Sequence, residues 1–343
     1  MLKSQRMSEL RYNILFEEWV IIATERAKRP EDFKNISPSN PMDTAQKCPF
    51  CPGHEDKTPP EVFAFREVNS KANSSGWRVR VIPNQFPALT MQGSNQRNVA
   101  DEFFVSMDGY GQHEVIIESP EHSQALWNMQ LSQVEEVFLA YLQRYKLLAA
   151  DPRFETVVLF KNYGFNAGTS LLHPHSQLVA LPITPMLLRR KVNVAQRYYE
   201  EYGKCIYCCL IAKEIEQQKR IIYENANFVA FTPYASHSPF EIFIMPKQHS
   251  SDFDSISEGM CKELALVVQT VLKKLKVALN SPDYNFNLFS SPVQEKGLTY
   301  YHWHFKITPR VSKSAGFEMG SGIFINTVIP EEAARYLREA KID

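Results

Sequence analysis

Apolar and polar positions follow two different periods along the chain, and these periods predict its strands and helices. Short runs rich in β-branched and aromatic residues predict strands at 19–23, 79–83, 114–118, 156–160, 241–245 and 285–289. Apolar residues spaced three and four apart predict amphipathic helices over 132–149, 186–202 and 260–279. Ser132 and Glu135 add a predicted capping box at the start of the first helix.

A short apolar stretch at 171–182 introduces the first candidate chemistry. His173 and His175 stand two positions apart, and side chains at i and i+2 leave a strand on the same face. Gln177 follows on that face. The pattern predicts that two imidazoles and an amide donor share one site. Two buried structural histidines beside a proline turn are the alternative interpretation.

The same order of motifs occurs twice, which predicts an internal duplication. Each copy carries a CxxC pair, then a strand that leads to a histidine, then a His-x-His pair. Residues 225–231 also resemble residues 83–89 in this comparison. With nine histidines and six cysteines in 343 residues, two copies of both pairs in one order exceed chance. We therefore predict an N-terminal half over 1–195 and a C-terminal half over 196–343.

The repeated cysteines and histidines predict two metal sites of the same composition. Each half supplies two thiolates and two imidazoles, a closed tetrahedral set that suits structural zinc and leaves no position for water. The predicted ligands are Cys48, Cys51, His122 and His173 in the first half, and Cys205, Cys208, His249 and His302 in the second. The metals are therefore expected to hold loops in place and not to perform the chemistry.

Charge and ligand spacing argue against several other classes. Lys+Arg and Asp+Glu are equal at 38, so no overall field attracts nucleic acid or membrane. The ligands of a zinc finger that reads nucleic acid lie close together, whereas these are spread through each half. The N-terminal residues lack the apolar core of a signal peptide, and no apolar run is long enough to span a bilayer, so a cytoplasmic protein is expected. A redox protein that uses its CxxC pairs is an alternative, and it predicts reactive thiols instead of bound zinc.

If His173 binds metal, His175 is the remaining imidazole of the pair, held beside a rigid site. A neutral imidazole can attack phosphorus and form a covalent phosphohistidine-type intermediate. The phosphate charge that grows in this step needs hydrogen-bond donors. The candidate donors are Gln177, Asn162, Gly168 and Ser170. Arg26 and Arg29 can clamp phosphates, or they can belong to a solvated basic loop.

The second half carries a different residue where the first half has Gln177. There His304 is followed by Phe305 and Lys306, so this copy is predicted to be non-catalytic. His304 is then either structural or a substrate contact. Three other histidines have no place in the pattern and are expected to be ordinary surface or core residues: His54, His113 and His237.

These motifs, in this order, resemble the galactose-1-phosphate uridylyltransferase branch of the histidine-triad superfamily. The resemblance is carried by His-Pro-His-Ser-Gln at 173–177, Cys-Pro-Phe-Cys at 48–51, Ser-Pro-Glu-His at 119–122 and Glu-Arg-Ala-Lys-Arg-Pro at 25–30. It spans nearly the whole chain. It implies an α+β fold of two tandem histidine-triad-like halves, each a mainly antiparallel sheet with packed helices, assembled as a homodimer.

The resemblance also implies a ping-pong nucleotidyl transfer. His175 takes the nucleoside monophosphate from a nucleotide sugar, a hexose 1-phosphate leaves, and a second hexose 1-phosphate accepts the nucleotidyl group. UDP-glucose and galactose 1-phosphate are the expected substrates. By the same match, Gln177 contacts the α-phosphate, and Asn84 and Phe86 belong to the nucleoside pocket. The phosphate pocket would be lined by Asn162, Gly168 and Ser170, with Arg26 and Arg29 near the phosphates.

The tail departs from the uridylyltransferase pattern. Phe317 and Phe324 stand where those enzymes have a Tyr and a Gln that holds the hexose. This version, together with the second cysteine–histidine set, resembles a plant-type branch that works as an ADP-glucose phosphorylase, in which inorganic phosphate attacks the nucleotidyl enzyme. A nucleotide-binding zinc protein without turnover is an alternative of another class. The presence of both His175 and Gln177 argues against it.

Overall fold

A computed structural model describes residues 7–23 and 47–342. Arg26 and Arg29 lie outside the described residues. The strands are β1 (Glu9–Asn13), β2 (Glu18–Ile22), β3 (Phe63–Arg66), β4 (Trp77–Pro83), β5 (Asn98–Val99), β6 (Val105–Ser106), β7 (Gln112–Ile117), β8 (Thr156–Tyr163), β9 (His175–Leu181), β10 (Ile221–Glu224), β11 (Phe228–Phe231), β12 (Ile242–Pro246), β13 (Tyr284–Phe289), β14 (His304–Pro309) and β15 (Phe324–Asn326). The helices are α1 (Leu131–Ala149), α2 (Met186–Tyr202), α3 (Ile206–Gln217), α4 (Glu258–Leu279), α5 (Gly316–Ser321) and α6 (Pro330–Glu339).

Ten strands form one antiparallel sheet in the order β10-β11-β12-β14-β13-β8-β9-β7-β4-β3. The central pair is β13 and β8, in which Asn285 stands opposite Asn162. Outward from this pair, the strands on each side follow the same relative order along the chain. The sheet therefore has an approximate two-fold arrangement, and the predicted α+β class with a mainly antiparallel sheet is confirmed.

The hydrophobic core lies between this sheet and the helices α1 and α4. The two helices contact each other, α1 packs on strands of the first half and α4 packs on β10 and β11. At the centre the Phe286 and Phe305 rings stack with centroids 4.5 Å apart, and Phe138 of α1 lies against both. Burying one such side chain stabilises a fold by roughly 1.5–3 kcal/mol, so this layer anchors the two central strands to the helices.

The opposite face of the sheet carries the polar positions. In β9, Ser176 and Leu178 are buried on the helix side, whereas Gln177 and Val179 alternate with them and are partly exposed. The same alternation places Asn285 and Asn287 of β13 on the partly exposed face. This period of two leaves the part of that face formed by β9 and β13 partly exposed and available for a site.

Several predicted elements are confirmed and two local predictions are wrong. The predicted helix at 186–202 is α2, and the N-cap of α4 is Ser257, whose hydroxyl accepts the Met260 amide at 3.2 Å. The capping box is wrong: α1 begins after Gln130, which places Ser132 inside its first turn, and its N-cap makes no side-chain hydrogen bond. The match of 225–231 to 83–89 is also wrong, because β11 occupies the sheet position of β4.

A small sheet joins the two ends of the chain. β2 pairs with β1 on one side and runs parallel to β15 on the other, with Ile21 opposite Ile325. Leu188 and Val192 of α2 pack in one cluster with Phe243 of β12. A boundary drawn at residue 195 falls inside α2, and the division into 1–195 and 196–343 stays a prediction. Across the described ranges, no helix combines the length and apolarity needed to cross a membrane.

Candidate functional site

The first predicted metal set comes together at one place. The ligand atoms of Cys48, Cys51, His122 and His173 all lie within 4.8 Å of one another. Cys51 Sγ lies 3.4 Å from His122 Nδ1 and 3.5 Å from His173 Nδ1. Because a carbonyl only accepts, His173 Nε2–H donates to the Ser119 carbonyl at 2.7 Å and leaves the lone pair on Nδ1. The ring is therefore oriented for ligation from Nδ1.

The second predicted set repeats this geometry. The ligand atoms of Cys205, Cys208, His249 and His302 also lie within 4.8 Å of one another. Cys208 Sγ lies 3.3 Å from His249 Nδ1 and 3.7 Å from His302 Nδ1. The Nε2–H groups donate to carbonyls, His302 to Pro246 at 2.9 Å and His249 to Leu298 at 3.0 Å. Both imidazoles again present Nδ1 to the sulfurs.

The electrostatics of the second set favour a thiolate. A hydrogen bond from the Cys208 thiol lowers the pKa of Cys205 to about 3, and sharing this proton raises the pKa of Cys208. A hydrogen bond that protonated His249 can donate to the Cys205 thiolate raises the pKa of that imidazole. Thiolate sulfur and oriented imidazole are the ligand forms that a tetrahedral ion such as zinc requires. The residues of both sets therefore fit a metal.

His175 begins β9 and lies directly after the first metal set. Its Nδ1–H donates to the backbone carbonyl of His173 at 2.8 Å, so the lone pair of this tautomer is on Nε2. The side chain is 8% exposed, and its ring packs edge-on against Phe50 with centroids 5.4 Å apart. One hydrogen bond thus connects the candidate nucleophile to a candidate metal ligand.

A pocket of about 300 Å³ opens at His175. It is lined by residues around His122, by the end of β8 with the following loop, and by Ser281 and Asp283 of the second half. Asn162 lines it and accepts a bond from Asn285 Nδ2 at 2.8 Å through its own Oδ1. That bond leaves the amide N–H₂ of Asn162 as a donor for a ligand.

The loop 164–170 borders the pocket and is held by the second half of the chain. The Asp283 carboxylate accepts from both the backbone and the side-chain nitrogen of Asn166 at 2.8 Å. Gly164 has a φ of +85°, and a Cβ there would lie 1.8 Å from Asp283 Oδ1, so only glycine fits. Two of the predicted phosphate donors, Gly168 and Ser170, are exposed on this loop.

A buried polar network supports His175 from the helix side of the sheet. Lys161 Nζ lies 2.7 Å from Glu118 Oε2 and donates to the His175 carbonyl at 3.0 Å. The hydroxyl of Tyr141 on α1 donates to the same carboxylate at 2.7 Å, and Ser176 also bonds to it. Lys161 and Glu118 are almost fully buried. Removing one partner of such a pair typically costs about 3–5 kcal/mol, so the strand that carries His175 is firmly held.

Gln177 lies in a cluster with residues of two other segments. Its Oε1 is 2.7 Å from His113 Nε2 and 3.4 Å from Asn84 Nδ2. Asn84 Oδ1 in turn accepts the Phe86 amide at 2.9 Å. The Phe86 ring is 84% exposed, which leaves a free aromatic face beside the cluster. The structure therefore brings together Gln177 and the two residues predicted for the nucleoside pocket.

The second half contains the same histidine arrangement, but its second imidazole is enclosed. His304 Nδ1–H donates to the His302 carbonyl at 3.1 Å, as His175 does to His173. Its Nε2 lies 2.8 Å from the Nζ of Lys191, and both side chains are buried. Burial and the nearby Lys191 charge hold the pKa of His304 well below its usual range. His304 is therefore enclosed within the fold, which favours the structural alternative over a substrate contact.

The tail residues line a second pocket of about 400 Å³ on the same sheet face. Asn285, Lys306, Glu318 and Phe324 contribute to it. The Phe324 ring stacks on His237 at 4.3 Å with the planes 9° apart. An aromatic side chain, Phe324, thus occupies the position where the uridylyltransferase pattern has a Gln.

Three side chains around His175 and Gln177 were not found from the sequence. Lys161 and His113 reach their partners across strand pairs, and Asp283 reaches the loop from the other half of the chain. His113 was expected to be an ordinary histidine. Its position two residues before Val115 places it on the same face as Gln177, but that relation appears only once the register of β7 and β9 is known.

Comparisons with known proteins agree with the predicted resemblance. The family models described as galactose-1-phosphate uridyl transferase, N-terminal domain and C-terminal domain, match residues 1–185 and 156–341. An ADP-glucose phosphorylase from Arabidopsis thaliana is 36% identical over 337 residues, which is 97% of this chain and 93% of the relative. A galactose-1-phosphate uridylyltransferase from Thermotoga maritima is 30% identical over 345 residues, which is 98% of this chain and all of the relative.

Solved structures give the same result. A crystal structure of an ADP-glucose phosphorylase from Arabidopsis thaliana with bound ADP-glucose matches with a TM-score of 0.81 and 34% identity, and the match covers 98% of this chain and 100% of that chain. A uridylyltransferase structure matches with a TM-score of 0.74 and 27% identity, over 97% of this chain and 98% of that chain. These proteins therefore share the fold of this chain over nearly its whole length, including the part that forms the candidate site.

Proposed function

This chain belongs to the galactose-1-phosphate uridylyltransferase family and is a nucleotidyltransferase, and on that premise we propose that it works through a covalent nucleotidyl-His175 intermediate. The observation that carries the proposal is the 2.8 Å bond from His175 Nδ1 to the His173 carbonyl. It leaves the lone pair on Nε2 and stabilises the positive charge that the ring gains when Nε2 forms a bond. A pocket large enough for phosphate groups opens at this ring.

In the first step, His175 Nε2 attacks the α-phosphorus of a nucleotide sugar. The bond from phosphorus to the bridging oxygen breaks, and hexose 1-phosphate leaves with the bonding electrons. Donors for the charge on the phosphate are proposed to come from Gln177, Asn162 and the exposed loop residues Gly168 and Ser170. Arg26 and Arg29 are proposed to contribute positive charge near the phosphates.

In the second step, an oxygen of the acceptor phosphate attacks the same phosphorus and the nitrogen–phosphorus bond breaks. His175 returns to its neutral form. Asn84 and Phe86 are proposed to hold the nucleoside in both steps, because an exposed aromatic ring offers a face on which a base can stack. The network of Lys161 and Glu118 keeps the strand of His175 in place throughout.

The two cysteine–histidine sets are proposed to bind zinc. Cys48, Cys51, His122 and His173 would hold one ion, and Cys205, Cys208, His249 and His302 the other. A closed tetrahedral zinc site supplies a cross-link between segments and no reactive position. The first site would fix the segment that leads into His175. We also propose a homodimer of chains, each built from the two halves 1–195 and 196–343.

Two reactions fit this chemistry, and one feature separates them. One is the transfer of a uridylyl group from UDP-glucose to galactose 1-phosphate, in galactose metabolism, which is the reaction expected from the resemblance to the uridylyltransferases. Phosphorolysis of ADP-glucose is favoured by the tail, where Phe324 replaces the hexose-binding amide and stacks on His237. The relative named ADP-glucose phosphorylase is also 36% identical, against 30% for the bacterial uridylyltransferase.

The discriminating experiment measures release of the nucleotidyl group from the enzyme. The protein is incubated with ADP-glucose or UDP-glucose, freed of small molecules, and given either inorganic phosphate or galactose 1-phosphate. An adenylyl group released as ADP by phosphate identifies the phosphorylase. A uridylyl group released as a UDP-sugar by galactose 1-phosphate identifies the uridylyltransferase. Nucleotide binding with no covalent adduct from either donor would reject both and favour a binding protein.

A further inference from the structure

We infer that His113 is a positioning residue that sets the orientation of the Gln177 amide and links it to the segment 84–88. The inference rests on the proposed transfer to His175 and assigns a role to a residue that does not touch the reacting atoms. Its basis is the set of contacts made by both ring nitrogens of His113.

The tautomer of His113 follows from a backbone amide. Ala88 N–H donates to His113 Nδ1 at 3.3 Å, so Nδ1 carries a lone pair and the ring proton is on Nε2. Nε2–H then donates to Gln177 Oε1 at 2.7 Å. Because the amide oxygen is engaged, the amide N–H₂ of Gln177 is the group left to face a phosphate. The opposite amide orientation would present an oxygen to the phosphate and repel it.

His113 also ties this amide to the proposed nucleoside segment. Its backbone carbonyl accepts the Asn84 amide at 2.8 Å, and its Nδ1 accepts the Ala88 amide. Asn84 Nδ2 lies 3.2 Å from His113 Nε2 and 3.4 Å from Gln177 Oε1. Since Nε2 carries the proton in this tautomer, the Asn84 amide donates to Gln177 Oε1, which supports the same amide orientation with a longer bond. Ordering of 84–88 around a nucleoside would therefore also order the phosphate donor.

The second half supplies an internal comparison. Val115 stands opposite Gln177 in the sheet, and Phe243 stands opposite Lys306. Two residues before each lie His113 and Glu241, which are counterparts by register. In the second half the counterpart of the His113–Gln177 pair is an ion pair, with Lys306 Nζ 3.0 Å from Glu241 Oε2. In the half whose histidine is enclosed, both members of the pair differ together, which is expected if the two side chains work as a unit.

The kinetic test uses single-turnover formation of the adduct from ADP-glucose and from UDP-glucose. His113→Leu removes the donor and is expected to slow adduct formation by about tenfold to a hundredfold, which is less than the effect of deleting a transition-state donor outright. His113→Gln keeps an N–H at nearly the position of Nε2 and is expected to recover most of the rate. Substrate affinity should change less than the rate.

Gln112→Leu is the matched control, because Gln112 is the neighbouring residue on β7 and its side chain bonds to Glu114 at 2.9 Å on the helix side. It is expected to react at the wild-type rate. The double variant His113→Leu/Gln177→Ala should react no more slowly than Gln177→Ala alone. A wild-type rate for His113→Leu, no recovery in His113→Gln, or independent losses in the double variant would overturn the inference.

A spectroscopic measurement tests the geometry without relying on turnover. In protein labelled with ¹⁵N-histidine, the His113 signals, assigned with the His113→Gln variant, should show a neutral ring with the proton on Nε2. A proton on Nδ1, or on both nitrogens at neutral pH, would overturn the inference even if no adduct forms. Absence of an adduct in the wild type, with the expected tautomer present, would instead reject the proposed function.

Discussion

Lys191 lies 2.8 Å from the Nε2 of His304, the nitrogen that corresponds to the proposed nucleophilic atom of His175 in the first half. Lys191 Nζ also lies 3.3 Å from the centroid of the Phe289 ring, and that ring stacks on His304. The second copy has thus kept the His-x-His arrangement and closed it with a lysine from α2. This contact occupies the Nε2 lone pair of His304, and on this ground we expect only the first half of the duplicated fold to react.

The Lys191–His304 pair should behave as a unit in stability measurements. Lys191→Met leaves His304 Nε2 buried without its partner, and the free energy of unfolding is expected to fall by about 1–3 kcal/mol. The double variant Lys191→Met/His304→Phe removes both polar groups and should be close to wild type. Urea unfolding measures both. His304→Phe is measured as the second single variant. If the fall in unfolding free energy of the double variant equals the sum of the falls in Lys191→Met and His304→Phe, the two side chains are not coupled.

The pH dependence of stability should carry a contribution from the same pair. Burial lowers the pKa of His304 well below its ordinary value of 6.5, and burial also lowers that of Lys191. Below about pH 6.5 the unfolded chain binds a proton that folded His304 does not, so the free energy of unfolding falls as the pH falls. Above this pH the His304 contribution is fully present.

The double variant Lys191→Met/His304→Phe serves as the reference for this titration. It should lose less stability than the wild type when the pH is lowered from about 7.5 to about 5.5, because it lacks both depressed groups. The other ionisable groups are the same in both proteins and cancel in the comparison. Equal losses in the two proteins would show that His304 takes up a proton in the folded state.

The two metal sites should differ in their effect on the reaction. Cys48→Ser and Cys205→Ser are each expected to reduce bound zinc from two ions per chain to one, measured by elemental analysis, and to lower stability. Only Cys48→Ser should slow adduct formation strongly, by roughly tenfold or more, because the backbone carbonyl of His173 accepts the hydrogen bond from His175 Nδ1–H. An equal loss of rate in both variants would contradict this assignment.

The loop beside His175 should be sensitive to one glycine. Gly164→Ala combines a positive φ with a Cβ placed 1.8 Å from Asp283 Oδ1, so it should displace the loop and reduce both stability and adduct formation. Gly203→Ala is the matched control, since Gly203 also has a positive φ but no atom within 4 Å of the added Cβ. It should lose stability only, by roughly 1 kcal/mol. Similar adduct rates in the two variants would show that the Asp283 contact does not position the loop.

The candidate metal ligands and the His175 strand were accessible from the sequence because their motifs are short and occur twice. His173, His175 and Gln177 alternate within five consecutive residues, and the two cysteines of each pair are separated by two residues. The repeat then linked distant motifs into two sets, which the structure brings together. The resemblance supplied the fold class and the two residues proposed for the nucleoside pocket, Asn84 and Phe86.

The contacts that orient these residues were not accessible in the same way. His113 is 64 residues from Gln177, Lys161 is 43 residues from Glu118, and Lys191 is 113 residues from His304. Which residues become partners depends on the register of neighbouring strands or on the packing of a helix. Strand register and helix packing produce no local sequence pattern from which the partners could be predicted. The capping box failed for a related reason, because the helix start is decided by the segment before it and not by Ser132 alone.

Covalent transfer through His175 is tested most directly by locating the nucleotidyl group on the chain. Wild-type protein, His175→Ala and His304→Phe are incubated briefly with ADP-glucose and separately with UDP-glucose, without acceptor, and analysed by intact mass and peptide mapping. We predict one nucleotidyl group per chain on His175 in the wild type and in His304→Phe, and none in His175→Ala. An adduct that persists in His175→Ala, or one that maps to another residue, would contradict the account.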